Sequence, residues 1–307
     1  MIPSQTTSQL YETKMETKMD RVWLITGSSR GFGWELAKAA LQTGDRVVAT
    51  ARRPEQLQQL TDDHGERVRL VALDVTDSEA ARRAVQLAIS AFGRLDVVVN
   101  NAGYANSSAI EETSDADFRK QIETNLFGVI NVTRAALPVL REQRAGHFVQ
   151  FSSIGGRVGG TPGIAAYQTA KFGVEGFSEV LANEVKPFGV KVTIVEPGAF
   201  RTDWQGTPMI RAAVGPDYES TVGEMNRRRE ATDGKQAGDP ARAARIIVDL
   251  VRSDDPPLRL LLGAGAVDAA ARASELRAAE AEQWAEVSRS ADFPTGATSS
   301  QAAPPAS

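Results

Sequence analysis

The sequence predicts an α/β fold in which a parallel, doubly wound seven-stranded sheet carries helices on both faces. Short apolar runs alternate with longer stretches of helical periodicity, the pattern of successive βαβ units. Turn residues follow each run, and right-handed crossovers then wind the strands into one sheet. The strands are expected at Val22–Thr26, Arg46–Thr50, Val68–Leu73, Val97–Asn100, His147–Ser152, Lys191–Glu196 and Leu258–Leu262.

Start signals place the helices between them. Thr76-Asp77-Ser78-Glu79 reads as a capping box ahead of a helix over Ala80–Ala91, and Asp239-Pro240 opens a helix that runs through Arg252. Ala165–Val185 reads as a long helix, and Val267–Ser288, rich in Ala and Glu, as one further helix after the last strand. One domain is expected over 21–265, with a lid over 200–234, preceded by a loose arm over 1–20 and followed by a helical extension over 266–290. The stretch 291–307, rich in Pro, Ala, Ser and Gly, is expected to be disordered because it cannot bury enough apolar surface to order itself.

The 307-residue chain is 42% hydrophobic and 24% charged, with a net charge of −4. That balance suits a globular protein and argues against a nucleic-acid or anionic-membrane surface, both of which call for clustered cations. Arg227-Arg228-Arg229 is the one basic triplet and reads as a solvated face. The first twenty residues hold no apolar run fit to cross a bilayer. With no cysteine, disulfides, thiolate nucleophiles and Cys-ligated zinc drop out, and a cytoplasmic location is the simplest expectation. The two histidines, His64 and His147, lack metal-binding spacing and read as structural or surface residues.

Chemistry concentrates in two places. Gly27, Gly31 and Gly33 lie where an apolar strand gives way to an amphipathic helix, so backbone amides there can face a phosphate. Their Gly-x-x-x-Gly-x-Gly spacing departs from the usual Gly-x-Gly-x-x-Gly fingerprint, which makes the glycines alone weak support. Candidate nucleotide contacts are Gly27, Ser29, Arg30, Gly31, Phe32 and Gly33. The second strand ends in Ala49-Thr50-Ala51-Arg52-Arg53 without the carboxylate that accepts a ribose 2′-hydroxyl. Arg52, Arg53 and Arg30 suit a 2′-phosphate, so NADP(H) is expected rather than NAD(H).

About 140 residues downstream stands Tyr167, with Lys171 four positions on, sharing one helix face. A phenol titrates near ~10, and a charge ~4 Å away at an effective dielectric of ~20 contributes ~4 kcal/mol, or ~3 pKa units. Lys171 is therefore expected to bring Tyr167 towards neutrality as a proton donor and acceptor.

These motifs, with Leu73-Asp74-Val75, Asn100-Asn101-Ala102-Gly103, Asn125, Ser153 and Pro197-Gly198 in the same order, make the chain resemble the short-chain dehydrogenase/reductase family over roughly 21–262. The resemblance implies a Rossmann fold and a catalytic tetrad of Asn125, Ser153, Tyr167 and Lys171. It implies that Asp74 and Val75 meet the adenine, and that Asn101, Ala102 and Gly103 line the adenosine ribose and the central sheet. Pro197, Gly198 and Thr202 would border the nicotinamide and pyrophosphate, and Lys171 would also hold the nicotinamide ribose. Asn125 would position a water linking Lys171 to solvent.

Thirteen residues separate Ser153 from Tyr167, one more than the family's usual spacing, and Gly159–Gly163 is the loop expected to absorb it. The implied reaction interconverts a carbonyl and an alcohol on a small-molecule substrate. Phe200, Trp204, Met209, Tyr104 and Ile154 are candidates for an apolar pocket. The resemblance also implies a homodimer or homotetramer. A nucleotide-binding sensor or scaffold that kept the fold and lost turnover is the rival reading.

Overall fold

The computed structural model describes residues 20–202 and 209–293. The N-terminal arm before Asp20, Trp204 and the tail from Pro294 lie outside them.

Seven strands form one sheet in the order β3-β2-β1-β4-β5-β6-β7, every neighbouring pair parallel. They are β1 (Val22–Ile25), β2 (Arg46–Ala51), β3 (Val68–Ala72), β4 (Val97–Asn100), β5 (Gly146–Phe151), β6 (Val190–Pro197) and β7 (Arg259–Leu262). The helices between them are α1 (Gly31–Gln42), α2 (Gln58–His64), α3 (Ser78–Phe92), α4 (Asp115–Ile122), α5 (Gly128–Gln143), α6 (Ile154–Arg157), α7 (Ala165–Val185), α8 (Glu224–Thr232) and α9 (Pro240–Val251). After β7 come α10 (Ala264–Gln283) and α11 (Ala285–Arg289). A parallel sheet buries both faces, which is why β1 and the first three residues of β4 read as apolar runs. One core packs α1 and α9 against one face, the other packs α3, α5 and α7 against the opposite face.

Strand order reverses between β1 and β4: the chain winds outward to β3 on one side and to β7 on the other. In open α/β sheets the crevice at that reversal, beyond the carboxyl ends of the strands, is where ligands bind. Both the glycine turn after β1 and the Asn101–Gly103 turn after β4 open there.

Several expectations shift. The cap of α3 is Asp77, whose Oδ1 accepts from the amides of Glu79 (2.8 Å) and Ala80 (3.1 Å). Thr76 instead donates to Asp74, and Glu79 pairs with Arg82, so the capping box does not form. Asp239 does cap α9 as expected, accepting from Ala241 and Arg242. The C-terminal extension is two helices, because the backbone leaves helical angles at Trp284 (φ −101, ψ 4). Within the stretch 200–234 the described residues include a helix, α8.

The basic triplet is not uniformly solvated. Arg227 and Arg228 pair with Glu219 and Glu224 at the surface, whereas Arg229 is 5% exposed. Its guanidinium donates to Ser107 Oγ (3.0 Å), Asn226 Oδ1 (3.0 Å) and Pro162 O (2.9 Å), tying α8 to the loops after β4 and before α7. Periodicity on α8 alone gave no hint of this, because the partners come from distant segments.

Candidate active site

The glycine turn is shaped by contact as much as by torsion. A Cβ on Gly33 would meet Gly27 O at 2.3 Å, and one on Gly27 would meet Ala102 Cα at 2.9 Å, so α1 and the turn after β4 close on each other. Gly31 differs: at φ +53 a Cβ there would meet only Thr202, no nearer than 3.5 Å, at the rim of the cleft. The first turn of α1 has neither a side-chain cap nor an acidic residue. Its amides and the dipole of the helix therefore suit an anion.

Asn101 holds this turn together. Its Nδ2 donates to Thr26 O (2.9 Å) and Gly27 O (3.1 Å), while Thr26 Oγ1 accepts from the amides of Asn101 and Ala102. Exposed Arg30 caps α1 in position only, and exposed Arg52 and Arg53 follow β2 without an ion pair among the described residues. Asp74 Oδ1 accepts from Thr76 N (3.0 Å) and Oγ1 (2.7 Å), an Asx-type turn that presents the residue at the surface beyond β3. Val75 is buried against Gly128, where a Cβ would meet Val75 Cγ2 at 2.5 Å.

One cleft gathers Phe32, Asn101, Gly103, Ser153, Tyr167, Lys171, Pro197, Gly198 and Thr202. Phe151, Ser152, Ala199 and Phe200 line it too, and Phe32 sits 5.4 Å from Phe151 and 4.9 Å from Phe200 between ring centres. Arg52, Arg53, Asp74, Val75 and Asn125 are not among the residues that line this cleft.

Asn125 is fully buried in a π-helical turn, Glu123–Phe127, between α4 and α5. Its Nδ2 donates to Tyr104 O and Gln121 O (both 2.8 Å), and its Oδ1 accepts from Tyr104 N (3.0 Å). With both ends of the amide taken by backbone, the side chain fixes the loop after β4. Gly103 in that loop lies so close that a Cβ would meet Asn125 Oδ1 at 2.5 Å and Lys171 Nζ at 3.8 Å.

Ser153 stands at the end of β5 as the cap of α6, accepting from Gly155 N at 3.0 Å. Its hydroxyl hydrogen-bonds Tyr167, so the thirteen-residue spacing still brings the two together. Gly159, Gly160 and Gly163 take φ of +71, +76 and +85 in the intervening loop, where the added residue is expected. Ser152 faces the other way, towards Lys171 O (3.5 Å) and Glu175. Of the pocket candidates, Met209 is buried with Tyr167, Ile164 and Ala105, whereas Tyr104 serves Asn125 through its main chain.

The electrostatics differ from the expected pairing. Lys171 Nζ donates to Phe151 O at 2.7 Å and lies 5.6 Å from the centre of the Tyr167 ring. Burial pushes the Tyr167 phenol up to about 12, opposed by the hydrogen bond from Ser153. Burial also brings Lys171 down to about 8, opposed by Glu175. In the protein alone, desolvation of the phenol outweighs the neighbouring ammonium, which is aimed at a carbonyl.

Sequence reasoning missed the charges behind Lys171. Arg259 Nε lies 3.2 Å from both Glu175 Oε2 and Glu196 Oε1, and Arg157 Nη1 lies 3.2 Å from Glu196 Oε1. Glu175, four residues past Lys171, was legible from helix periodicity. Glu196 and Arg259 meet through the β6–β7 register, which no local pattern reveals.

A nucleotide turn, a switch-point crevice and a Ser–Tyr–Lys cluster at its end are the parts of one known family, whose short chain dehydrogenase description matches residues 21–209. The chain is a short-chain dehydrogenase. This short-chain dehydrogenase is 49% identical over 271 residues to oxidoreductase BOA17 of Botryotinia fuckeliana, covering 88% of the chain and 98% of that relative. It is 36% identical over 244 residues to a 3-ketodihydrosphingosine reductase of Bacteroides thetaiotaomicron, covering 79% and 88%. The crystal structure of a short-chain dehydrogenase from Streptomyces avermitilis, 40% identical, superposes with a TM-score of 0.83 over 90% of the chain and 100% of that structure. It follows that the chain is an oxidoreductase with an NAD(P)-binding Rossmann fold, acting by hydride transfer on a small carbonyl or alcohol. Among the described residues no helix is long and apolar enough to cross a membrane, and none of the acidic or histidine side chains group as a metal site.

Proposed function

We propose that this enzyme is an NADP(H)-dependent carbonyl reductase or alcohol dehydrogenase for a small, hydrophobic substrate, with Tyr167 as general acid and base. The observation that carries the reading is the hydrogen bond between Ser153 and Tyr167 in a cleft shared with Lys171 and the Pro197–Gly198 turn. The glycine turn, the uncapped start of α1 and the Asn101–Gly103 loop fit a dinucleotide, which when bound supplies or accepts the hydride.

In the reducing direction the Tyr167 hydroxyl gives its proton to the substrate oxygen while the carbonyl carbon takes the hydride. In oxidation it withdraws that proton. Ser153 donates a hydrogen bond to the same oxygen, where negative charge develops. Lys171 contributes positive charge beside the phenol and a donor for the nicotinamide ribose. Asn125 acts through the loop it fixes, holding Gly103 against Lys171. Asn101 and Ala102 keep that loop on the glycine turn, with Pro197, Gly198 and Thr202 lining the same cleft as Asn101, and Asp74 and Val75 would meet the adenine.

The preference for the 2′-phosphate form rests on Arg30, Arg52 and Arg53 and on the absence of a carboxylate at the end of β2. Phe32, Phe151, Phe200 and Met209 favour an apolar substrate, in keeping with the sphingoid ketone named for the Bacteroides relative. We read 200–234, with α8 latched by Arg229, as the lid over the pocket and the helices after β7 as an extension of a single domain. We also expect a homodimer or homotetramer.

The test is Arg52→Ala: the dissociation constant for NADPH rises about tenfold, a loss of ~1.4 kcal/mol, while that for NADH barely moves. Equal effects on both would remove the phosphate argument. Tight NADPH binding with no turnover across a panel of ketones and aldehydes would favour a sensor over an enzyme.

A further inference from the structure

We propose that Glu175 is a positioning residue for Lys171: held by Arg259 and Ser152, its carboxylate is the counter-charge that keeps the buried ammonium charged beside the cleft. The inference rests on the reading of Lys171 as part of the active site, but its geometry is independent of turnover.

Lys171 is 4% exposed and Glu175 7%, four residues apart on α7, so both side chains lie along one buried stripe of the helix. Lys171 Nζ donates to the Phe151 carbonyl, which offers a dipole and no charge. A buried ammonium with only neutral partners would tend to shed its proton, as burial already urges here. The groups that face Lys171 are few. From its own helix come Tyr167 and Glu175; from β5 and the residue after it, the Phe151 carbonyl and the Ser152 hydroxyl; from the π-turn, the Asn125 amide across Gly103. Beyond Glu175 stand Glu196 on β6, Arg259 on β7 and Arg157 on α6.

Among these, two carboxylates are buried, and they are not equivalent. Glu196 answers two guanidiniums, Arg157 and Arg259, each at 3.2 Å. Glu175 answers Arg259 through Oε2, while its Oε1 is buried with no hydrogen-bond partner among the described residues. Arg259 in turn is shared with Glu179 and Glu196. Burial pushes the Glu175 carboxyl up, as does Glu196, and the hydrogen bond from Ser152 and the Arg259 guanidinium oppose them. Ser152 fixes its orientation: the hydroxyl lies 3.5 Å from Lys171 O and bonds the Glu175 side chain. Gly156 lets α6 close on this point, since a Cβ there would meet Ser152 Oγ at 2.5 Å and Lys171 Cβ at 2.9 Å. The serine next to Ser153 thus serves the far side of Lys171.

The experiment follows the Lys171 side chain itself by NMR of ¹³C-labelled lysine in the nucleotide-free protein, its signal assigned with Lys171→Met. In the wild type it titrates near 8. In Glu175→Gln, which keeps the volume and leaves Arg259 its other two carboxylates, the titration moves down by about one unit or more. The alkaline loss of kcat/KM moves down with it, and Glu175→Asp restores both. Glu175→Met, which removes the charge with an apolar side chain, gives the same shift, so whichever variant folds decides. An unchanged Lys171 titration in a folded variant lacking the charge overturns the proposal and leaves Glu175 as a fold-holding partner of Arg259. Because the NMR signal needs no substrate, a shift without any turnover would count against the assigned reaction and not against the role of Glu175.

Discussion

The Lys171 ammonium lies 5.6 Å from the centre of the Tyr167 ring and donates its hydrogen bond to the Phe151 carbonyl at 2.7 Å. Helix spacing puts the two residues on one face, but burial of the phenol, not the neighbouring charge, sets its acidity in the protein alone.

The nucleotide-free protein is therefore predicted to keep Tyr167 un-ionised through pH ~10, where an exposed phenol is already titrating. Ultraviolet difference titration of the wild type against Tyr167→Phe measures this. The missing phenolate signal should belong to a step near 12; a step near neutrality would show that the ammonium dominates after all.

Asn125 ties three backbone groups, Tyr104 N, Tyr104 O and Gln121 O, inside the protein. Asn125→Ala leaves all three without their partner, at a cost of about 1–3 kcal/mol for each buried group left unpaired. Urea unfolding should show a loss of ~3 kcal/mol or more, with turnover falling as the Gly103 loop slackens beside Lys171. A loss below ~1 kcal/mol would mean that water replaces the amide.

His147 is 3% exposed and lowered to about 3, chiefly by burial and then by Lys191 and Arg21. Thr193 Oγ1 donates to Pro257 O, so His147 Nε2 must donate to Thr193 Oγ1 at 2.9 Å, leaving a neutral ring. A base with a depressed folded pKa gives no pH dependence above the unfolded value. Between about 6.5 and 3 the unfolded chain takes the proton and the folded one refuses it, so stability falls by ~1.4 kcal/mol per pH unit as acid is added. His147→Gln should flatten that slope in denaturant titrations across this window. An unaltered slope would assign the acid sensitivity elsewhere.

Much of this was legible in the sequence because local rules and the fold agree. The helix expected over Ala165–Val185 has those bounds, Asp239 caps α9, and the seven strands fall within two residues of their expected ends. The choice of Ser153 over Ser152 follows from strand alternation, and the two hydroxyls do point apart. What escaped depends on partners far along the chain. Asp77 beats Thr76 as the cap because Asp74 engages Thr76. Arg229 is buried because Ser107 and Pro162 converge on it. Glu196 and Arg259 stand together only once β6 and β7 pair. The acidity of Tyr167 escaped for a related reason: periodicity places side chains on a face but does not say how dry that face is.

The most direct measurement is the turnover of Tyr167→Phe with NADPH and a reducible ketone, alongside its affinity for NADPH. Removing one hydroxyl should cost at least ~10²–10⁴-fold in kcat, the range expected when a proton donor is lost, with NADPH binding within about threefold of the wild type. Retained turnover in the folded variant would contradict the central claim that this phenol carries the proton.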